Sequence, residues 1–259
     1  MSAAHVITAG ELSLEVHESE KAMGEAAAVR AAAIIRDAVS SHGAARVVIA
    51  TGNSQYAFTD ALGAQDIPWG SVTVFHMDEY VGIDDDHPAS FQRWIRERIA
   101  EQMKPARVEY ISGHGDPEAE AARYEALLRE APLDLVCMGI GENGHLAFNE
   151  PGEARFDDEK WARVIELTPE SRHQQVGEGH FPTLDDVPAH AITLTIPALL
   201  SAHHVQVCTP EARKADAVRA TVNEPISTAC PATILRETGH ARVFLDKESA
   251  KHLEADPLV

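Results

Sequence analysis

The sequence predicts an α/β fold with an open, mainly parallel sheet and helices on both faces. Short β-branched or apolar runs alternate with helical patterns along the 259 residues, as is typical of parallel strands joined by covering helices. Several runs are apolar throughout, as expected for strands buried on both faces. No linker or low-complexity segment interrupts the alternation, so we expect one domain over residues 1–259.

The elements follow in chain order, beginning with an alanine-rich helix whose apolar side chains fall near one face. The expected strands are 46–50, 72–75, 133–138, 191–195, 205–208 and 241–245. The expected helices are 19–41, 55–62, 117–130, 197–201 and 210–222. This order is Rossmann-like. The polar stretch 152–188 has weak periodicity, and we expect a long, mobile excursion there, since such excursions are often functional.

The loop at residues 139–151 reads GIGENGHLAFNEP and follows the apolar strand at 133–138. In open α/β sheets the ligand crevice lies beyond the carboxyl ends of the strands. His145 can exchange protons near neutral pH, and Glu150 can orient or polarise it. The alternative is an ordinary loop histidine beside a capping glutamate. We favour a catalytic site.

A second candidate group follows the strand at 72–75, where the chain continues as HMDEYVG. Asp78 is the better candidate for chemistry because it comes first after the strand. The sequence leaves several roles open for Glu79: it points the other way and serves structure, it completes an acidic cluster, or it contacts the substrate. The alternative for both residues is a solvated loop acid, the usual environment of Asp and Glu.

A turn suited to anions follows the strand at 46–50. Thr51, Gly52, Asn53 and Ser54 lie between that strand and the next helix, where free amides, hydroxyls and the helix dipole favour a phosphate. A plain helix N-cap explains the same residues about equally well.

Composition excludes several classes of protein. The formal charge of −19 argues against nucleic acid as a partner, and no apolar run approaches the length of a membrane span. The three cysteines are widely separated, which favours reduced thiols in the cytoplasm over disulfides or zinc. The 14 histidines include one adjacent pair, His203 and His204, without a metal-binding pattern. We therefore expect neither a metal nor a cofactor.

Together these motifs resemble the glucosamine-6-phosphate deaminase (isomerase) family, which shares a superfamily with the 6-phosphogluconolactonases. The resemblance extends over nearly the whole chain. It depends most on MDEYVG at 77–82 with DHPASF at 86–91, and on GHLAFNEP at 144–151; weaker similarity covers 191–200 and 211–222. The FNEP ending favours the deaminase branch over the lactonase branch.

The resemblance implies a phosphate loop at 51–54, a phosphate-binding Lys214 and a lid at about 152–188. It also suggests substrate contacts from Gly144, Arg172 and His180. Three departures from the family pattern stand out: Asn53 and Gln55 replace a glycine and a proline, and His180 replaces an arginine before Phe181. Because asparagine tolerates left-handed backbone, we expect the turn to survive.

The implied reaction converts glucosamine 6-phosphate and water to fructose 6-phosphate and ammonia. His145 is the implied acid and base of ring opening, with Glu150 and Asn143 behind it. Asn143 stands where the family often has aspartate; its amide fixes the imidazole tautomer but adds no charge. Asp78 is the implied base at C2.

Other functions remain open in the sequence. In order of preference they are a deaminase for the galacto epimer, a 6-phosphogluconolactonase and a non-enzymatic sugar-phosphate sensor. The expected partner is a phosphorylated amino sugar. The sequence leaves open regulation by an effector and the number of subunits, including assembly as a homo-oligomer.

Overall fold

The computed structural model describes residues 5–177 and 179–253. The strands in these ranges are β1 (His5–Ala9), β2 (Leu12–His17), β3 (Ala45–Ile49), β4 (Val72–Phe75), β5 (Asp78–Tyr80), β6 (Arg107–Glu109), β7 (Leu135–Met138), β8 (Ala162–Glu166), β9 (His190–Leu194), β10 (His204–Thr209) and β11 (Ala241–Asp246). The α-helices are α1 (Glu20–His42), α2 (Tyr56–Gly63), α3 (Phe91–Ile95), α4 (Glu101–Met103), α5 (Pro117–Arg129), α6 (Pro169–Gly177), α7 (Ile196–Leu200) and α8 (Ala215–Asn223).

Eight of the strands in the described residues form the main sheet, in the order β1-β2-β11-β10-β7-β3-β4-β6. Only β1 and β2 pair antiparallel in it; the other neighbours are parallel. The predicted mainly parallel α/β sheet is therefore confirmed. The central strands β3 and β7 are almost entirely buried, which explains why their sequences are apolar rather than alternating.

Helix α1 shows how the local sequence sets an element. The Ser19 side chain caps the first turn by accepting from the Ala22 amide, and Gly43 ends the helix at φ 88°, a conformation that favours glycine. Buried alanines line its inner face. A Cβ on Gly24 would lie 2.5 Å from the Ala57 carbonyl carbon of α2, so glycine permits the close packing of α1 and α2.

The second sheet is where the structure departs from the predicted element order. Strands β5, β9 and β8 form a separate three-stranded antiparallel sheet. The predicted strand at 191–195 exists as β9, but not in the main sheet as expected. The MDEYVG segment at 77–82, expected as a loop, contains β5. Successive side chains of this short strand point to opposite faces of the sheet.

The segment 152–188 is more regular than expected. It contains β8, which pairs with β9, followed by α6 and a 3₁₀ turn at Leu184–Asp186. The prediction of an irregular excursion was wrong for its first half, because β8 is paired along its length within the second sheet. Only the second half reaches the candidate site.

The strands β1, β2 and β6, and the helical stretch 91–103, were not predicted. In the part of the chain that the structure describes, no helix is both long and apolar enough to cross a membrane. The single domain expected over residues 1–259 stays a prediction.

Candidate active site

A crevice opens beyond the carboxyl ends of β3, β4, β7 and β10. Parallel strands bring their following loops to one edge of the sheet, where ligands bind in such folds. Its lining residues are Ala50, Thr51, Gly52, Asn53, Ser54, Gln55, Met77, Asp78, Phe91, Gly139, Ile140, Gly141, His145, Ala147, Phe148, Gln174, Gln175, His180, Arg213 and Lys214. The structure thus gathers the predicted Thr51–Ser54 turn with Asp78, His145, His180 and Lys214.

The turn after β3 has the geometry of an anion site. Gly52 has φ 98°, and Asn53 begins a 3₁₀ turn, Asn53–Gln55, that leads into α2. The turn is retained as expected, with the positive φ at Gly52 and not at Asn53. The residues at the start of this helical segment line the crevice together with Lys214. Backbone amides and a helix N-terminus favour a bound anion.

Asp78 is a buried carboxyl group on the crevice. Burial, followed by the neighbouring charge of Glu79, raises its pKa to about 8. Burial disfavours the ionised form, and a like charge disfavours it further. Asp78 can therefore hold or release a proton near neutral pH, as a general acid and base must.

Glu79 does not line the crevice, and its predicted contact with the substrate stays a prediction. Its carboxylate accepts from the Tyr80, Phe91 and Gln92 amides and from the Ser90 hydroxyl. These bonds hold the start of α3 against β5. Burial raises the pKa of Glu79 despite four hydrogen bonds that favour its charged form.

His76 fixes the backbone of Asp78 from below. Its Nε2 accepts from the Ile111 amide at 2.9 Å, so Nδ1 carries the proton and donates to the Asp78 carbonyl at 3.0 Å. Burial lowers the pKa of His76 to about 4, although the hydrogen bond to the Asp78 carbonyl raises it. His76 is therefore a neutral support at physiological pH rather than a proton carrier.

His145 is held from one side by two acceptors. Its Nδ1 lies 2.9 Å from Asn143 Oδ1 and 3.2 Å from Glu150 Oε1. Because both neighbours accept, Nδ1 carries a proton, and Nε2 is the nitrogen left for chemistry. Asn143 also donates to Glu150 Oε2 at 2.7 Å. Asn143 and Glu150 do not line the crevice; they orient the residue that does.

Glu150 is ionised behind the imidazole. Burial raises its pKa, but the hydrogen bond and charge of His145, together with the hydrogen bond from Asn143, outweigh burial and lower it overall. A buried carboxylate at this distance stabilises an imidazolium, so His145 can accept a proton during reaction.

Two glycines shape this loop. A Cβ on Gly141 would lie 2.2 Å from the His145 ring, and one on Gly144 would lie 2.5 Å from Cys230 Sγ. Gly144 has φ 86° and closes a turn by donating to the Gly141 carbonyl. Gly144 does not line the crevice, and its predicted contact with the substrate stays a prediction.

The cations of the crevice are Lys214, Arg213 and, when protonated, His180. Lys214 is only 5% exposed, and such burial is rare for lysine outside functional sites. Arg213 was not predicted, although it is adjacent to Lys214 in sequence. Its guanidinium pairs with Glu211 and with Glu142 of the catalytic loop.

Arg172 does not reach the crevice. Its guanidinium donates to the carbonyls of Leu184 at 2.6 Å and Val187 at 3.1 Å, so it ties α6 to the next turn. Its expected contact with the substrate stays a prediction. The second half of the lid instead presents Gln174, Gln175 and His180. Gln175 accepts from the Tyr80 hydroxyl at 2.7 Å.

No local signal singles out Gln174 and Gln175, because their place depends on how α6 packs over the second sheet. Among the described residues, no group of three or more His, Cys, Asp or Glu side chains is arranged to hold a metal ion.

Comparison with known proteins gives a consistent picture. The glucosamine-6-phosphate deaminase of Exiguobacterium sibiricum is 38% identical over 207 residues, 79% of this chain and 80% of that protein. That of Listeria innocua is 33% identical over 86% of this chain and 94% of its own length. A solved monomeric glucosamine-6-phosphate deaminase of the NagB superfamily has a TM-score of 0.83 at 27% identity and covers 92% of this chain and 98% of that one.

A 6-phosphogluconolactonase from Shewanella baltica shares the fold, with a TM-score of 0.75 at 20% identity over 90% of this chain and 97% of its own. The family model for glucosamine-6-phosphate isomerases and 6-phosphogluconolactonase matches residues 18–244. The chain therefore belongs to the glucosamine-6-phosphate isomerase/6-phosphogluconolactonase family.

Proposed function

We propose that this protein is a glucosamine-6-phosphate deaminase, which converts glucosamine 6-phosphate and water to fructose 6-phosphate and ammonia. One observation carries the proposal: a buried carboxyl group with a pKa of about 8, Asp78, shares a crevice with an imidazole that is backed by an ionised glutamate. Ring opening and proton transfer between two carbons need two separate acid–base groups. The deaminases among its relatives support the same choice.

Ring opening is assigned to His145. Nε2 accepts the proton of the C1 hydroxyl and delivers a proton to the ring oxygen, which breaks the C1–O5 bond and leaves an aldehyde at C1. The imidazolium that forms between these transfers is stabilised by Glu150 at 3.2 Å. Asn143 keeps the ring in the required tautomer through its Oδ1.

Proton transfer from C2 to C1 is assigned to Asp78. The carboxylate removes the C2 proton while a proton of the C2 ammonium passes to O1, which gives the neutral enolamine. Asp78 then returns the same proton, or one exchanged with solvent, to C1. The product carries an iminium at C2, which water hydrolyses to the ketone and ammonia. The substrate ammonium at C2 offsets the raised pKa of Asp78, because an opposite charge favours the carboxylate.

Phosphate recognition is assigned to the turn after β3 and to Lys214. Thr51 and Ser54 offer hydroxyls, the amides after Gly52 offer backbone donors, and the buried Lys214 supplies charge. His180 adds a second charge when protonated. In a protein of charge −19, such a local arrangement is what gives an anion a favourable site.

We also place the enzyme in the cytoplasm, in the catabolism of amino sugars. Its cysteines, Cys137, Cys208 and Cys230, are buried free thiols, which suits a reducing compartment.

One assay tests the reaction class. Purified protein is given glucosamine 6-phosphate, its galacto epimer or 6-phosphogluconolactone, while ammonia, fructose 6-phosphate and lactone hydrolysis are measured separately. We expect ammonia and fructose 6-phosphate in equal amounts from glucosamine 6-phosphate. Faster turnover of the galacto epimer would change the substrate, and lactone hydrolysis without ammonia would overturn the proposal.

A further inference from the structure

Gln55 is a buried polar side chain beside the anion turn. It is 1% exposed, lines the crevice, and stands where the resembling family has proline. Its backbone is engaged in the turn itself, since its amide donates to the Gly52 carbonyl at 3.1 Å. The side chain must therefore find its partners inside the protein.

The contacts of the Gln55 amide settle its orientation. Nε2 lies 3.1 Å from Ser54 Oγ and 3.2 Å from the Cys208 carbonyl oxygen. A carbonyl oxygen only accepts, so the nitrogen of the amide must face it. Both hydrogens of Nε2 are then used, and Ser54 Oγ is an acceptor in this pair.

This arrangement joins the ends of three strands. Gln55 follows β3, Cys208 lies in β10, and Gly139 follows β7. A Cβ on Gly139 would lie 3.0 Å from Gln55 Nε2 and 3.3 Å from the Cys208 carbonyl oxygen. The Gln55 amide is thus closely packed between the strand that leads to the catalytic loop and the strand that leads to Lys214.

The hydroxyl of Ser54 gains a direction from this contact. A hydroxyl has one donor hydrogen and two acceptor lone pairs. Because one lone pair is occupied by Gln55 Nε2, the hydrogen points away from Gln55. Ser54 also lines the crevice, so its hydroxyl is available as a donor to a ligand acceptor there.

The other end of the amide is unsatisfied. Within the described residues, Gln55 Oε1 is a buried acceptor without a hydrogen-bond partner. Unpaired buried acceptors are costly and uncommon in native proteins. Among the described residues, the Gln55 nitrogen contacts Ser54 and Cys208, and the Gln55 oxygen has no partner. A role in placing a group that binds the ligand explains why this cost is tolerated.

We propose that Gln55 is a positioning residue of the phosphate site, which holds the Ser54 hydroxyl as a donor toward the phosphate and fixes the anion turn to the end of β10. The inference rests on the phosphate site of the proposed function. Gln55 acts through Ser54, so its contribution must disappear when the Ser54 hydroxyl is absent.

The test is a double-mutant cycle with Gln55→Met, Ser54→Ala and the double variant, measured with glucosamine 6-phosphate. We expect each single variant to raise KM and the inhibition constant of inorganic phosphate by about tenfold, the value of one hydrogen bond, with kcat changed less than twofold. The double variant should be no worse than either single variant. Gln65→Met removes an amide outside the crevice and should change neither constant.

Gln55→Asn covers the case in which the methionine variant does not fold. It keeps an amide but shortens the side chain by one methylene, so the contacts with Ser54 and Cys208 cannot both form, and the same tenfold losses are expected. Unchanged phosphate inhibition in a folded Gln55 variant, or effects that multiply in the double variant, would overturn the role of Gln55 alone. If Ser54→Ala itself changes neither constant, Ser54 does not bind the phosphate and the role of Gln55 is wrong, while Lys214 and the turn amides remain as the phosphate site.

Discussion

Two residues that line the crevice, Asp78 and His145, each have a glutamate beside them, and the two glutamates have opposite electrostatic effects. At the end of β4, Asp78 faces the crevice and Glu79 lies behind it; after β7, His145 faces the crevice and Glu150 lies behind it. Glu79 contributes to the raised pKa of Asp78, whereas Glu150 is itself held below its ordinary pKa by His145.

The difference shows that a carboxylate behind a functional group has no fixed effect. A carboxylate next to a second acid opposes the ionisation of that acid, so the acid keeps its proton. A carboxylate next to an imidazole stabilises the imidazolium, so the imidazole accepts a proton more readily. The pair of Asp78 and Glu79 therefore suits proton transfer at a carbon, where a proton must be taken up and returned. The pair of His145 and Glu150 suits proton transfer between two oxygens. The predictions below separate the two pairs, beginning with the largest expected effect.

Asp78→Asn should abolish the proton transfer from C2 to C1, since an amide of the same shape cannot accept the C2 proton. We expect ammonia release to fall on the order of 10⁴-fold, the upper end for loss of a general base, while substrate still binds. In deuterated water the wild type should place deuterium at C1 of fructose 6-phosphate, and the variant should not. Asp85→Asn is the control. Full ammonia release by Asp78→Asn would refute the assignment of the base.

His145→Gln should affect only the first half of the reaction. We expect a loss on the order of 10²- to 10³-fold with the closed pyranose, and a much smaller loss with an open-chain analogue, because the analogue needs no proton at the ring oxygen. His114→Gln, on the surface outside the crevice, should behave as wild type. Equal losses on both substrates would remove His145 from ring opening.

Glu150→Gln should weaken the same step to a smaller extent. The glutamine keeps an acceptor but loses the charge that stabilises the imidazolium, a charge-assisted contact of about 1.5–3 kcal/mol, or roughly 10- to 100-fold in rate. Glu153→Gln, from the same loop, is the matched control. If the open-chain analogue is affected as strongly as the pyranose, Glu150 does more than support His145.

The raised pKa of Asp78 also predicts a stability effect of opposite sign to its effect on activity. Its pKa of about 8 in the folded protein exceeds the ordinary value of 3.8, so its stabilising contribution is fully present below about pH 4 and is lost as pH rises toward 8. Asp78→Asn should therefore unfold at higher urea concentration than wild type at pH 8.5, and the gap should narrow toward pH 4.5. A gap independent of pH would contradict the raised pKa.

The ionisation of Asp78 also predicts that wild-type kcat/KM rises with pH on the acid side of the pH profile.

Much of the site was predictable because it depends on chain order. In a parallel sheet the residues that follow each strand reach the same edge, so the Thr51–Ser54 turn, Asp78 and His145 were predicted from strand ends and short motifs. Lys214 was predicted from the family resemblance. The mainly parallel sheet followed in the same way from apolar runs separated by helical patterns.

Side-chain direction was decided by tertiary structure. Glu79 is adjacent to Asp78, yet the alternation within β5 and the amides at the start of α3 turn it away from the crevice. Arg172 lies in the lid, yet two carbonyls hold its guanidinium. Both are charged residues near the right motif, and their partners come from segments that the local sequence does not specify.

The sequence by itself determined the type of sheet, the edge on which chemistry occurs and the residues that reach this edge along the backbone, because these depend on periodicity and on the order of strands and helices. Only the tertiary structure decided which of those side chains face the crevice, how far burial moves the pKa of Asp78, and that Gln55 links three strand ends. Each of these depends on distances between segments far apart in the chain, and such distances are fixed by packing.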